Sequence, residues 1–227
     1  MRIAIAGAHG QIARHLTRQL TDEGHDVLGI VRNDEHSSDL HADGASPVVL
    51  DLEQDDIGAF AAALEGVDAA VFAAGAGPGS GMERKRTVDR DGCLKLADAC
   101  VEAGVGHLVV VSSMGADRAP DIDWDALDQY GEDDGFGVYL AAKAEAEQGV
   151  RDRDVKHTIV RPGGLTDDSP TGAVELASTV DRGEIPRADV AAVLAAVLLH
   201  GPAEEGTTIE VVSGDEPLSA AVVGMLG

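Results

Sequence analysis

The chain opens with MRIAIAGAHGQIARHLTRQ, residues 1–19, and this stretch decides the fold. The apolar run 3–6 predicts a buried strand, and a helical apolar pattern follows two glycines, Gly7 and Gly10. Ala13 stands where a third glycine usually stands in such a turn. A strand, a glycine turn and a helix in this order predict the opening of a dinucleotide-binding βαβ unit.

The glycines explain why this turn suits a nucleotide. Gly7 permits the tight turn, and Gly10 lets the backbone come close to a pyrophosphate. The free N–H groups at the start of the helix then face an anion. We therefore expect the loop and the first helical turn to bind the cofactor, through Gly7, His9, Gly10, Gln11 and Ile12.

Length, composition and charge indicate one domain and limit the kinds of partner that the protein can bind. The 227 residues are 44% hydrophobic, which is enough for the core of one domain, and no linker divides them. The net charge of −24 argues against nucleic acid and against an anionic membrane surface as partners. Only four of the 17 basic residues are lysines, which indicates adaptation to high salt. A GC-rich genome that replaces Lys with Arg gives the same pattern and is the alternative interpretation.

The sequence does not predict a disulfide, a metal site, a membrane helix or a signal peptide. Cys93 and Cys100 lie seven residues apart on a predicted helix and are typical of small core residues. The eight histidines show no ligand spacing, so we expect no metal site. The apolar run 190–199 is far shorter than the roughly 20 residues of a membrane helix. With no signal peptide before the first strand, a soluble, cytoplasmic protein is expected.

The second predicted strand, residues 26–32, bears on cofactor choice because it ends in Val31 and Arg32. A site that prefers NAD places Asp or Glu near this point to bind the ribose 2′-hydroxyl. A guanidinium can instead pair with a 2′-phosphate, so Arg32 favours NADP, with NAD as the other candidate. An ordinary surface arginine is the alternative interpretation.

Two further strand ends complete the predicted cofactor cleft. Strand 47–50 is followed by Asp51 and Leu52, and the carboxylate either accepts from the adenine amino group or caps the next helix. Strand 68–73 opens into AGAGPG, residues 74–79, whose small side chains leave room for a ligand. Since α/β sheets bind ligands at such strand ends, we expect contacts from Asp51, Leu52, Ala73, Ala74 and Gly75.

A long helix is predicted over residues 82–103, and its apolar stripe carries one acid. Asp89 lies one turn before Cys93 on the same face. A carboxylate at the head of a buried stripe needs a partner or a task. Asp89 is therefore either an active-site or network carboxylate, or one of the acids that are favoured in the first turns of a helix.

The next two elements bring candidate catalytic groups. Strand 107–113 is nearly all apolar and ends in Ser112 and Ser113, which lie beside the expected crevice or serve as ordinary turn residues. Helix 138–151 places Tyr139 and Lys143 on one face, four residues apart. An ammonium close to a phenol favours the phenolate, which makes Tyr139 a candidate proton donor and acceptor.

The last third of the chain completes an α/β pattern. Strand 156–161 leads into PGGL, residues 162–165, which suits close approach of the backbone to a cofactor. A short strand at 173–180, a helix at 186–200 and a final strand at 207–213 follow. The sequence thus predicts a Rossmann-like, doubly wound parallel sheet of about seven strands in a single domain, residues 1–227. Residues 163–227 contribute a small C-terminal substrate region.

The motifs together resemble the short-chain dehydrogenase/reductase superfamily. The chain most resembles its atypical NAD(P)-binding branch, which is related to epimerase/dehydratase proteins and includes biliverdin reductase B-like and nitrogen-regulator-like proteins. Extended epimerases carry a larger C-terminal domain, so the resemblance implies a small or open substrate pocket here. The motifs are GAHGQIA at 7–13, VR at 31–32, DL at 51–52, AAG at 73–75, VSS at 111–113, YLAAK at 139–143 and IVRPGGL at 159–165.

The resemblance also implies roles for particular residues. Tyr139 is the general acid/base, Lys143 binds the nicotinamide ribose, and Ser113, or less so Ser112, bonds the substrate carbonyl. Asp89 takes a position on the long helix where the family usually has Asn. The cofactor-binding set extends to Ser112, Lys143, Pro162, Gly163, Gly164 and Leu165.

Three functions are compatible with these expectations. The first is an NADP-dependent oxidoreductase or epimerase/dehydratase-like enzyme that moves a hydride between the nicotinamide and a small carbonyl or alcohol. The second is a non-catalytic, NADP-binding sensor or regulator. The third is a flavin or quinone reductase, in which the hydride passes directly to the acceptor and no tyrosine is needed. In each case the partner is a small molecule, and the protein is a monomer or a homodimer.

Overall fold

The computed structural model describes residues 1–77 and 79–227, and strands alternate with helices along most of the chain. Pro78, in the predicted opening after the fourth strand, lies outside the described residues. In chain order the elements are β1 (Arg2–Ala6), α1 (Gln11–Asp22), β2 (Asp26–Val31), α2 (Ser37–Ala42), β3 (Ser46–Val49), α3 (Ile57–Ala63), β4 (Ala69–Phe72), α4 (Met82–Arg84), a π-helical segment (Lys85–Gly92), α5 (Cys93–Ala103), β5 (His107–Val111), α6 (Gly135–Arg151), β6 (His157–Pro162), β7 (Gly164–Thr166), β8 (Ala173–Ala177), β9 (Glu184–Pro186), α7 (Arg187–His200), β10 (Thr207–Ser213), β11 (Glu216–Pro217) and α8 (Leu218–Leu226).

The main sheet has the order β11-β8-β10-β6-β5-β4-β1-β2-β3. Neighbouring strands run parallel throughout the part of the sheet formed by β10, β6, β5, β4, β1, β2 and β3. At the edge, β8 is antiparallel to β10. The predicted Rossmann-like, doubly wound sheet is therefore confirmed. Winding reverses between β1 and β4, so the crevice outside the carboxyl ends of these two strands is where such a sheet binds ligands. The short strands β7 and β9 form a separate pair.

Alternation along β1 shows how both faces of the sheet are covered. Ile3 and Ile5 face the core under α1, α7 and α8, while Ala4 and Ala6 face the core under α3, α5 and α6. All four are at most 1% exposed, as expected for a strand in the middle of a parallel sheet. The second core also holds the free thiols of Cys93 and Cys100, whose pKa values burial raises to about 12.

Two predicted elements differ from the structure. The helix over 82–103 contains the π-helical segment Lys85–Gly92, and its buried Asp89 still shares the inward face with Cys93 of α5. The prediction that 207–213 is the final strand is wrong, because β11 follows it, and the sequence analysis did not predict α8. Helix α8 packs Leu218, Ala221 and Val222 against the core, a spacing that is typical of an amphipathic helix.

Residues 1–77 and 79–227 include no helix that is long and apolar enough to cross a membrane. The same residues contain no group of three or more His, Cys, Asp or Glu side chains that could hold a metal ion.

Candidate active site

The turn after β1 brings two strand ends together. Gly7 has a φ of +80°, and a Cβ at this position would lie 2.5 Å from the Cα of Ala74, in the loop after β4. Glycine is therefore required for the two loops to meet. Gly10 forms the N-cap of α1, where no side chain caps the helix and no acid occupies the first turn. The N–H groups at this helix start are thus free for an anionic ligand.

A cavity of about 320 Å³ lies over this turn, at the carboxyl ends of β1 to β4. The predicted cofactor residues that line it are Gly7, His9, Gly10, Arg32, Asp51, Leu52, Ala73, Ala74 and Gly75. Sequence reasoning missed the polar lining residues His36, Glu53 and Arg84. No motif marks them, because each becomes part of the cavity only when separate loops fold together.

Arg32 is exposed in this first cavity, and it forms no ion pair or hydrogen bond with any residue that the structure describes. The two histidines that also line this cavity are in contact with other side chains. The Nε2 of His9 lies 2.8 Å from Oδ2 of Asp39, and the His9 ring stacks on His36 with their centroids 3.8 Å apart. A guanidinium without a partner is available to pair with a phosphate.

Asp51 does not cap the following helix. Its Oδ1 accepts a hydrogen bond from the N–H of Glu53 at 2.8 Å, within the turn after β3. The cap of α3 is Asp56, which accepts from the N–H of Ala59 at 2.9 Å. Of the two interpretations of Asp51, helix capping is therefore wrong, and its carboxylate lines the first cavity.

A second cavity, of about 720 Å³, adjoins the first and shares residues 73–76 with it. Predicted site residues that line it are Ile12, Ala73, Ala74, Gly75, Asp89, Ser112, Tyr139, Lys143, Pro162 and Leu165. Sequence reasoning missed Met82, Lys85, Glu132 and Phe136, which also line it. Among the predicted residues, Gln11, Ser113, Gly163 and Gly164 line neither cavity.

Asp89 and Lys143 form a buried ion pair in the wall of the second cavity. The Nζ of Lys143 lies 3.1 Å from Oδ1 of Asp89, and the two side chains are 4% and 1% exposed. Oδ2 of Asp89 accepts from the N–H of Ala76 at 3.1 Å, which ties the loop after β4 to the π-helical segment. Burial lowers the pKa of Lys143, but the nearby Asp89 carboxylate outweighs it and the pKa is raised overall. Lys143 therefore stays charged.

Tyr139 lies one turn before Lys143 and is half-buried in the same cavity. The Nζ of Lys143 is 5.7 Å from the centroid of the Tyr139 ring but only 3.1 Å from Oδ1 of Asp89. Asp89, and not Tyr139, is therefore the nearer partner of the lysine. Phe136 stacks against Tyr139 with the ring centroids 6.0 Å apart. The cavity thus combines a phenol, a fixed ammonium and an aromatic wall.

The two serines after β5 do not present free hydroxyls to a ligand. Ser112 donates to Oε1 of Glu147 at 2.6 Å, and Arg161 binds both oxygens of that carboxylate. Ser113 donates to the carbonyl of Met114 at 3.3 Å. Gly163 also has a packing role, because a Cβ there would collide with the carbonyl oxygen of Gly183.

Residues 7–201 match the model of a protein family described as NAD(P)H-binding. The chain belongs to this NAD(P)H-binding family. A UPF0659 protein of Saccharomyces cerevisiae is 35% identical over 227 residues, covering 96% of each chain. A protein of Bacillus subtilis named "Uncharacterized sugar epimerase" is 32% identical over 225 residues, covering 98% of this chain and 99% of that one.

A solved structure agrees with this family membership. It is a Bacillus halodurans protein named "Putative NAD-dependent epimerase/dehydratase", with a TM-score of 0.84 and 33% identity. The match covers 99% of this chain and 100% of that one. The resemblance to the epimerase/dehydratase-like branch is confirmed, and the cofactor of this NAD(P)H-binding protein is a nicotinamide dinucleotide. The uncapped start of α1 beside the first cavity fits its pyrophosphate.

Proposed function

We propose that this NAD(P)H-binding protein is an NADP-dependent oxidoreductase or epimerase-like enzyme that acts on a small carbonyl or alcohol in the second cavity. The observation that carries the proposal is the position of Tyr139 and the charged Lys143 in that cavity, beside residues 73–76 of the cofactor cleft. The residues of the two cavities would hold the dinucleotide, and its nicotinamide would supply or accept the hydride when bound.

The chain's own side chains handle the proton. The phenol of Tyr139 gives its proton to the carbonyl oxygen during reduction and takes one from the alcohol in the reverse direction. The Lys143 ammonium lies 5.7 Å from the centroid of the Tyr139 ring and places a positive charge beside the phenol. Asp89 acts as a positioning residue, because it fixes Lys143 and the loop of Ala76 by its two oxygens.

NADP is the proposed form of the cofactor because of the end of β2. Arg32 follows that strand, lines the first cavity and has no partner in the described part of the chain. No acid stands at Val31 or Arg32, where an NAD site would place one for the 2′-hydroxyl. The free guanidinium supports recognition of a 2′-phosphate.

Replacing Tyr139 with Phe tests the proton transfer. We expect kcat/KM for NADPH-dependent carbonyl reduction to fall about 10²- to 10⁴-fold, the usual contribution of a general acid. The Kd for NADPH, measured by calorimetry, should stay unchanged. Tyr130→Phe is the matched control, because Tyr130 lines neither cavity and its hydroxyl accepts from the N–H of Asp123. Full activity of Tyr139→Phe would remove Tyr139 from the mechanism.

The serines favour a second candidate function. Ser112 already donates to Glu147, and Ser113 lines neither cavity, so neither of these two predicted hydroxyls is placed to orient a substrate carbonyl. Hydride transfer to a flavin or quinone needs neither that hydroxyl nor a tyrosine. For such a reductase, Tyr139→Phe should leave the rate of flavin reduction unchanged. NADPH binding without turnover of any acceptor would instead indicate a sensor.

A further inference from the structure

The basic side chains of this acid-rich protein nearly all have partners. The sequence has 17 basic residues against 41 acidic ones, so carboxylates are abundant near most cations. Within residues 1–77 and 79–227, the basic side chains that form neither an ion pair nor a hydrogen bond are those of Arg32, Lys85 and Arg182. Two of these three lie in the cavities.

Among the residues that the structure describes, Lys85 is the cation of the second cavity without an ion pair or hydrogen bond. It is half-buried and is the first residue of the π-helical segment. Both of its neighbours along the chain are paired: Arg84 lies 2.9 Å from Glu53, and Arg86 pairs with Glu83. Arg182, in the loop between β8 and β9, lines neither cavity.

The other charged groups of the cavity leave Lys85 available. Asp89 and Lys143 bind each other at 3.1 Å and neutralise each other locally. Glu132 is exposed and lies in the lining, but not within ion-pair distance of Lys85. The described lining of the cavity therefore holds one ammonium without a carboxylate partner, in a protein whose net charge of −24 repels anions elsewhere.

The remaining lining of the second cavity is apolar. Phe136 is 62% exposed although it is aromatic, and it stacks on Tyr139. Ile12, Met82 and Leu165 add further apolar surface. Apolar walls with a few placed polar groups are typical of small-molecule sites, where the polar groups fix the orientation of the ligand.

We propose that the second cavity selects a small anionic carbonyl compound, with an apolar body packed on Phe136 and a carboxylate paired with Lys85. This inference rests on the proposed function, since it names the substrate class of that site. In the reduction, the carbonyl carbon receives the hydride and its oxygen receives the proton of Tyr139. NADPH is oxidised to NADP⁺, the carbonyl becomes an alcohol, and solvent returns a proton to the tyrosine.

Binding of two matched probes tests the selection without turnover. We would titrate 4-carboxybenzaldehyde and benzaldehyde into the protein saturated with NADP⁺, at one fixed KCl concentration, and measure Kd by calorimetry. In the wild-type protein the carboxylate should improve binding about tenfold or more. Lys85→Gln should abolish this preference, and Lys85→Arg should retain it. Arg182→Gln, which removes an equally unpaired cation elsewhere, should behave as wild type.

Each other outcome has a defined meaning. Equal Kd values for the two probes, no binding of 4-carboxybenzaldehyde, or an unchanged preference in Lys85→Gln would overturn the role of Lys85. A carboxylate preference that depends on Lys85, without oxidation of NADPH by either aldehyde, would support the anion site and count against carbonyl reduction. The failure of the site and the failure of the proposed reaction are thus distinguishable.

Discussion

Asp89 serves two elements through its two carboxylate oxygens. One lies 3.1 Å from the ammonium of Lys143 on α6, and the other accepts from the N–H of Ala76 after β4. Burial alone would drive Lys143 toward its neutral form, and the carboxylate reverses this preference. The removal of one partner of such a buried pair lowers the free energy of unfolding by about 3–5 kcal/mol. Asp89 therefore stabilises the fold as well as positioning Lys143.

A single substitution, Arg32→Glu, should change the choice of cofactor. The substitution places a carboxylate where NADPH would bring its 2′-phosphate, so the Kd for NADPH should rise at least about tenfold. The Kd for NADH should change far less, since Glu can accept from a 2′-hydroxyl. Calorimetric titrations with both dinucleotides give the ratio. Arg182→Glu is the control for net charge, and equal weakening of both cofactors by Arg32→Glu would contradict the assignment.

The sequence predicted which side chains belong to the candidate site better than it predicted their ion-pair and hydrogen-bond partners. It named Asp89, Tyr139 and Lys143 as candidate site residues, and all three line the second cavity. It expected Tyr139 to be the neighbour of Lys143, because spacing rules see only residues on one helix. The nearer partner, Asp89, comes from another element and was fixed by tertiary packing. For the same reason the sequence could not show that the Ser112 hydroxyl donates to Glu147.

Helix α6 is the element that joins the site to the sheet. Its buried Glu147 accepts from Ser112 after β5, from Arg161 on β6 and from Arg151 on the helix itself. Burial raises the pKa of Glu147, but the hydrogen bonds from Arg161 and Ser112 outweigh it and the pKa is lowered. The carboxylate is therefore charged, and it anchors the helix that carries Tyr139 and Lys143.

Glu147→Gln should therefore destabilise the whole fold. The substitution removes the nearest of three carboxylates around the guanidinium of Arg161, which is only 10% exposed, while Asp117 and Glu210 remain at 3.7 Å. The free energy of unfolding should fall by about 1.5–3 kcal/mol, the usual cost of losing a hydrogen bond to a charged group. Glu145→Gln on the same helix is the matched control. Glu145 is 45% exposed and pairs with Arg90, so its loss should cost about 1 kcal/mol or less. Urea unfolding measures both, and similar midpoints would show that the buried network adds no stability.

Elements were predictable where a pattern repeats and missed where it is short or distorted. The strands of the parallel sheet were found from apolar runs, because strands covered on both faces are almost wholly apolar. The three-residue strands β7 and β9 are too short to show a period. The π-helical turn of Lys85–Gly92 left no sequence signal, since the apolar stripe continues from it into α5.

At the scale of the whole molecule, the net charge of −24 should make stability depend on salt. Repulsion among 41 acidic side chains opposes the compact state and is screened as the Debye length falls from about 10 Å at 0.1 M salt to about 3 Å at 1 M. Salt also weakens exposed ion pairs, but acids outnumber bases by so much that relief of repulsion should dominate. The urea midpoint should rise steadily up to molar KCl. Greatest stability in dilute buffer would contradict adaptation to salt.

Residues 73–76, which wall both cavities, have a consequence for how the ligands influence each other. Any shift of this segment when one cavity fills also reshapes the other, since the two cavities have no separate walls there. The two affinities are then thermodynamically linked. The factor by which the dinucleotide changes the affinity for the second molecule must equal the factor by which that molecule changes the affinity for the dinucleotide. One coupling free energy therefore describes both effects, whichever of the two molecules binds first.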